Sequence, residues 1–158
     1  MWNFEPTTKK EHYRKAFEMY FRPRPFLRAS CAWAKADEDS FIEAMDKGLN
    51  FAGFENGEMT AFVQAEPKSD YIAEGHLFCL PTVTTEFISA LVSFAKIEVF
   101  RHYPQIITQI LSRHSFLREV MRRSGFYYSG LNAWNAVYRG KLMESHIYIA
   151  VEGKKDGQ

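Results

Sequence analysis

Glu74 and His76 stand two residues apart in a stretch, 71–80, that has strand character, so their side chains project from one face. A carboxylate and an imidazole sharing a face can take up and release a proton, which is what general acid–base catalysis needs. The same pair on a half-exposed strand also serves simply as solvated or mutually paired groups. Two basic groups stand out beside them. Arg22, Arg24 and Arg28 are spaced by Pro23 and Pro25 and flanked by Phe21 and Phe26, a composition that suits contact with an acidic or protein partner as well as a solvated connection. Arg113, Arg118, Arg122 and Arg123 form the second group, with Arg118 and Arg122 four apart and therefore on one helix face. Nucleic-acid binding by base stacking would need exposed aromatics next to these cations, and Tyr127 and Tyr128 are the nearest in sequence. Cys31 and Cys79 lack CxxC spacing and a His/Cys neighbourhood, so free thiols are expected and no metal. There is no phosphate-binding glycine loop and no Ser-His-Asp or Cys-His signature.

The chain of 158 residues is 46% hydrophobic and 25% charged with a formal net charge of +1, the balance of a globular domain rather than a general polyanion binder. No apolar run is long enough to span a bilayer and no signal-peptide pattern occurs, so a cytoplasmic setting is expected. Aromatic residues make up 16% of the chain, more than a core of this size needs, and the surplus suits a contact surface.

The elements that must position these residues follow from periodicity. Residues 1–6 alternate as a short strand, and Thr8 with Glu11 has capping-box spacing, which starts a helix near Lys9 that ends near Phe21 before Pro23. Asp37, Glu38 and Asp39 suit the positive end of a second helix that stops by Gly48. Residues 50–55 and 59–66 flank Asn56-Gly57, the dipeptide of a tight hairpin turn, and 71–80 adds a third strand. A long helix is expected over 85–103 with Thr85 as its cap, then a buried strand over 106–111 and a helix over 115–124 closed by Gly125. Strands 127–138 and 143–151 complete the chain as one domain over 1–151, and 152–158 reads as a polar tail.

This order, with Gly125-Phe126 after the last helix, Gly130, and the turn Tyr138-Arg139-Gly140-Lys141-Leu142 followed by Ile147 and Ile149, resembles the GNAT family of N-acetyltransferases. The resemblance implies an α/β (α+β) fold with a mixed, mostly antiparallel sheet of about seven strands and about four helices. It also implies that an active member would splay its fourth and fifth strands around the arm of acetyl-CoA. In such a member Glu74 or His76 would be the base and Tyr127 or Tyr128 a substitute acid, with Leu80, Thr82, Val83, Thr84, Thr85 and His114 against the cofactor. The departures are equally specific. The family's glycine-rich turn corresponds to Leu80-Pro81-Thr82-Val83-Thr84-Thr85-Glu86, which has no glycine and no basic residue and carries Pro81 without an N–H and an acidic Glu86. The family's tyrosine acid falls on Met121 and its asparagine on His114. The departures place first a non-catalytic binding or assembly protein that needs no cofactor, and second an acetyl-CoA-dependent N-acetyltransferase with a divergent loop. Trp2, Phe4, Thr7, Thr8 and the Ser112-Arg113-His114-Ser115-Phe116-Leu117 run are similar to small GNAT-like proteins of short-tailed phages. That likeness implies assembly or ejection proteins as partners and the host cytoplasm or the virion as location.

Overall fold

The computed structural model describes residues 1–23, 37–138 and 141–154; Arg24, Phe26, Arg28 and Cys31 fall outside the described residues. Along the chain run β1 (Trp2–Pro6), α1 (Lys10–Phe21), α2 (Glu38–Met45), β2 (Leu49–Glu55), β3 (Glu58–Pro67), β4 (Ile72–Cys79), α3 (Thr85–Val99), β5 (Gln105–Leu111), α4 (Ser115–Arg123), β6 (Tyr127–Tyr138) and β7 (Lys141–Val151). The strands form one seven-stranded sheet in the order β1-β2-β3-β4-β5-β7-β6, antiparallel throughout except for the parallel β4–β5 pair that α3 bridges. This is the mixed, mostly antiparallel architecture expected.

Strand alternation assigns each face its layer. Phe62 and Phe78 face each other across β3 and β4 and pack with Tyr13, Phe17, Phe21 and Phe41 of α1 and α2. Their odd-numbered neighbours Ala61, Val63 and Cys79 turn to the other face, under Phe87, Leu91 and Val99 of α3 and Val120 of α4. Aromatic rings fill both faces, and on the first Phe41 and Phe78 meet edge to face at 5.2 Å. Each such ring, fully buried, stabilises the fold by about 1.5–3 kcal/mol.

Two turn signals act as the sequence implies. Asn56 and Gly57 both have positive φ, 52° and 85°, closing the β2–β3 hairpin. Gly125, at φ 74°, ends α4, with its N–H on the Arg122 carbonyl and the Phe126 N–H on that of Met121, the paired bonds of a Schellman stop. Three local expectations are corrected. The Thr8–Glu11 box does not form: Lys9 is the cap of α1, and it is Thr7 Oγ1 that accepts the Lys9 N–H. Thr84 rather than Thr85 caps α3, accepting the Phe87 N–H at 3.2 Å. That helix ends at Val99, four residues early, because the chain must turn before Pro104 to deliver β5. In addition, β7 starts at Lys141, two residues before the expected strand.

Candidate functional site

The sheet opens where its one parallel pair ends. β4 and β5 are in register at Ile72–Gln105, Ala73–Ile106 and Glu74–Ile107, and no ladder pair joins them further on. Each strand instead stays with its other neighbour, β4 with β3 as far as Cys79 and β5 with β7 as far as Leu111. The result is the splay that the resemblance implies, a wedge with its vertex at Glu74. Just past the vertex, Thr108 Oγ1 donates to the Gly75 carbonyl at 2.9 Å, a side-chain link between the two strands.

Glu74 and His76 share the α1/α2 face with Glu66 and Gln64, their cross-strand partners on β3. Lys68, just beyond β3, donates to Glu66 Oε2 at 2.8 Å and lies 3.0 Å from Glu74 Oε2, while His76 Nε2 lies 3.1 Å from the same Glu66 oxygen. The group is half-buried, with the side chains of Glu74 and His76 only 18% and 20% exposed. Burial alone would raise the Glu66 carboxyl, but hydrogen bonds from Lys68 and His76 hold it below its ordinary range. Burial works against the Lys68 ammonium too, and its bonds to Glu66 and Glu74 reverse that, keeping it above the usual lysine value. Among the described residues, Glu66, Glu74 and His76 are also the side chains whose ligand atoms lie close enough together, within 4.8 Å, to hold a cation. The cation present is the Lys68 ammonium.

Tyr127 is on the same sheet face but three strands from Glu74, through Ile149 and Ile107, which sets the two residues roughly 14 Å apart at ordinary strand spacing. It therefore does not act on the same atoms as Glu74. Tyr128 is on the opposite face, packed edge-on against Tyr148 at 5.8 Å. Met121, where the resemblance puts a tyrosine, is 5% exposed in the α3/α4 core.

The turn into α3 carries Leu80, Thr82, Val83, Thr84 and Thr85 at the far end of β4. A diphosphate seated there would need free amides and positive charge. Thr84 already takes the Phe87 amide, and the Glu86 carboxylate takes its own amide and the Arg123 guanidinium, whose Nη1 is 2.9 Å away. Those bonds hold the Glu86 carboxyl below its ordinary range. The wedge thus fits an extended arm that bonds to main chain, whereas the turn does not fit a diphosphate as it stands. His114 is the N-cap position of α4 without a side-chain capping bond.

Of the basic groups, Arg22 is exposed just past α1. Arg118 Nη1 lies 3.4 Å from His146 Nε2. Arg122 and Arg123 both bond Glu119, whose carboxyl their hydrogen bonds pull down to about 2. The helix face is an ion-pair network more than a bare cationic patch. An open surface concavity of about 490 Å³ lies elsewhere, at the β1 edge, lined by Glu5, His12 and Phe54 among others. No helix among the described residues is long and apolar enough to cross a membrane.

Sequence reasoning missed Glu66, Lys68 and the Glu86–Arg123 pair. The alternation 62, 64, 66 against 74, 76, 78 was the available signal for Glu66, and it becomes readable only once the hairpin register is fixed.

No family model matches the sequence, and no curated protein matches it. Comparison with solved structures, in contrast, is extensive. The chain is similar to a ribosomal L7/L12 alpha-N-protein acetyltransferase in complex with coenzyme A, at TM-score 0.78 and 10% identity over 95% of this chain and 93% of that one. A ribosomal-protein-S5-alanine acetyltransferase from Vibrio fischeri gives 0.76 and 9% over 99% and 96%. An acetyltransferase from Salmonella typhimurium, solved with its cofactor acetyl-CoA, gives 0.72 and 13% over 99% of both chains. At these identities the likeness establishes the GNAT fold, and the chain has it.

Proposed function

We propose that the chain is an acyl-CoA-dependent N-acyltransferase that holds its donor chiefly by the β4–β5 wedge. The observation that carries the reading is the end of the parallel ladder at Glu74–Ile107, directly beside a half-buried carboxylate–imidazole cluster. It is supported by neighbours of the same fold that were solved with coenzyme A or acetyl-CoA. This reverses the order in which the sequence alone placed the two functions. A bound thioester would supply the reactive acyl carbon; the protein's own part is to seat an amine and receive its proton. Glu74 is suited to the second task because it borders the vertex. Met121 can donate no proton to a departing thiolate, so the reading assigns that step to solvent at the open end of the wedge.

A second reading, a GNAT-fold binding protein without catalysis, is favoured by the turn into α3, where Glu86 occupies the amide that an anion would use. Calorimetric titration with acetyl-CoA, joined to an amine-acetylation assay, separates the two. The enzyme reading expects saturable binding and transfer that falls at least tenfold in Glu74→Gln. Absence of binding at millimolar ligand leaves only the second.

A further inference from the structure

The wedge and the turn beyond it suit different halves of one molecule. From the vertex at Glu74 to Cys79, β4 runs roughly 17 Å at strand spacing, with β3 on one side and no ladder pair to a described strand on the other. The Gly75 carbonyl takes Thr108 Oγ1 at 2.9 Å, and past it this side of the strand can pair with an extended molecule as it would with an added strand. A pantetheine arm, a narrow uncharged chain that carries amides, has that chemistry.

The rest of CoA, a diphosphate and a 3′-phosphate on adenosine, would fall to the turn into α3, and the groups there are engaged within the chain. The Leu80 N–H donates to the Thr60 carbonyl at 3.0 Å, the Val83 N–H to that of Leu80 at 3.4 Å, and the Phe87 N–H to the Thr84 hydroxyl at 3.2 Å. Pro81 has no N–H, and Glu86 covers its own amide with its carboxylate. Positive charge is spoken for as well. Arg123 Nη1 lies 2.9 Å from Glu86 and its Nε 2.7 Å from Glu119, which also holds Arg122 at 2.8 Å. Two arginines against two carboxylates leave no surplus, whereas a phosphate group at a helix end is held by free amides and uncompensated positive charge. The Glu86 side chain, 60% exposed, puts its negative charge where a diphosphate would have to lie.

We infer that the ligand of the wedge is a pantetheine thioester without the nucleotide, and that Glu86, clipped to Arg123 across α3 and α4, selects against the diphosphate. Such an arm exists as a free thioester or joined through a phosphodiester to a serine of a carrier protein, and the wedge reads the part that both share. The inference rests on the acyltransferase reading and narrows its donor: acetyl-CoA serves through its arm alone, and the nucleotide adds nothing to its hold.

The test is calorimetric titration of the full chain with CoA, 4′-phosphopantetheine, pantetheine and adenosine 3′,5′-bisphosphate at constant ionic strength. Pantetheine is expected to bind within about threefold of CoA, or more tightly, and the bisphosphate neither to bind nor to compete. CoA binding more than about tenfold tighter than pantetheine overturns the inference and leaves the acyltransferase reading standing. So does competition by the bisphosphate, which would place the nucleotide on the protein. Two further ligands fix the source: a carrier protein whose serine bears the 4′-phosphopantetheine arm, and the same protein without the arm. The inference holds with the carrier as the source if the armed form binds more tightly than free 4′-phosphopantetheine and the bare form does not bind; otherwise the source is the free thioester. If none of these ligands binds at millimolar concentration, the inference and the acyltransferase reading fall together.

Discussion

β4 has two chemically opposed ends. Near its start, Glu74 and His76 belong to a half-buried cluster in which hydrogen bonds outweigh the cost of burial at Glu66 and Lys68. Past its end, the turn into α3 places Glu86, 60% exposed, on a helix terminus where the GNAT fold offers room for an anion. The difference shows what a fold carries by itself. The wedge is a matter of main chain: beyond Glu74 the ladder of β4 continues with β3 and that of β5 with β7, and the two strands part between them. Anion binding at the turn depends on side chains and glycines, and there the sequence has gone its own way.

The largest effect is expected from the layer beneath the cluster. Phe62 is completely buried, opposite Phe78 and edge-on to Tyr13 at 5.8 Å. Phe62→Ala should cost about 3–5 kcal/mol, read as a lower midpoint in urea with an unchanged slope. A loss under about 1 kcal/mol would mean that the aromatic layer does not brace the β3–β4 hairpin, and the cluster would lose its claim to being the rigid end of the strand.

The sequence made the frame legible because the frame rests on short-range signals. Asn56-Gly57 fixes one hairpin, Gly125 ends a helix, and Pro23 and Pro104 limit two others. What stayed hidden depends on distance along the chain or on single-residue register. Thr84 and Thr85 are equally good caps on paper, and only the path out of β4 chooses between them. Glu86 and Arg123 are 37 residues apart and meet because α3 and α4 pack on the same side of the sheet. Lys68 joins Glu74 only after a turn of definite length, so Glu74 and His76 were visible as candidates while the groups that hold Glu66 and Glu74 were not.

A smaller effect tests the other end of β4. Glu86→Gln removes a negative charge from the α3 terminus and leaves Arg123 to Glu119 alone, and because the site is exposed it should leave stability nearly unchanged. If the wedge binds the pantetheine arm and the turn repels the phosphates, the variant should bind CoA severalfold more tightly and pantetheine unchanged, in parallel calorimetric titrations. Equal gains for both ligands would show that Glu86 acts on the wedge and that the two ends are not separate.

The smallest effect separates the two kinds of carboxylate by acid and salt. Glu119 has a folded value of about 2 against 4.5 when unperturbed, so the unfolded chain takes up its proton first as the pH falls. Its contribution is therefore complete above about pH 4.5 and disappears as the pH approaches 2. Glu66 is shifted in the same direction, so its contribution is likewise lost as the pH falls through its lowered folded value. Thermal melts of the wild type against Glu119→Gln and Glu66→Gln should each show a small gap at pH 5 that narrows on acidification. The distinction lies in salt: Glu119 and its arginines stand in solvent, where a Debye length of about 3 Å at 1 M screens them, while Glu66 is sheltered beside Gln64 and His76. At pH 5 in 1 M sodium chloride the Glu119→Gln gap should close and most of the Glu66→Gln gap remain. If both close together, the vertex cluster is as open to solvent as the α4 face, and its carboxylates hold Lys68 no more firmly than a surface pair would.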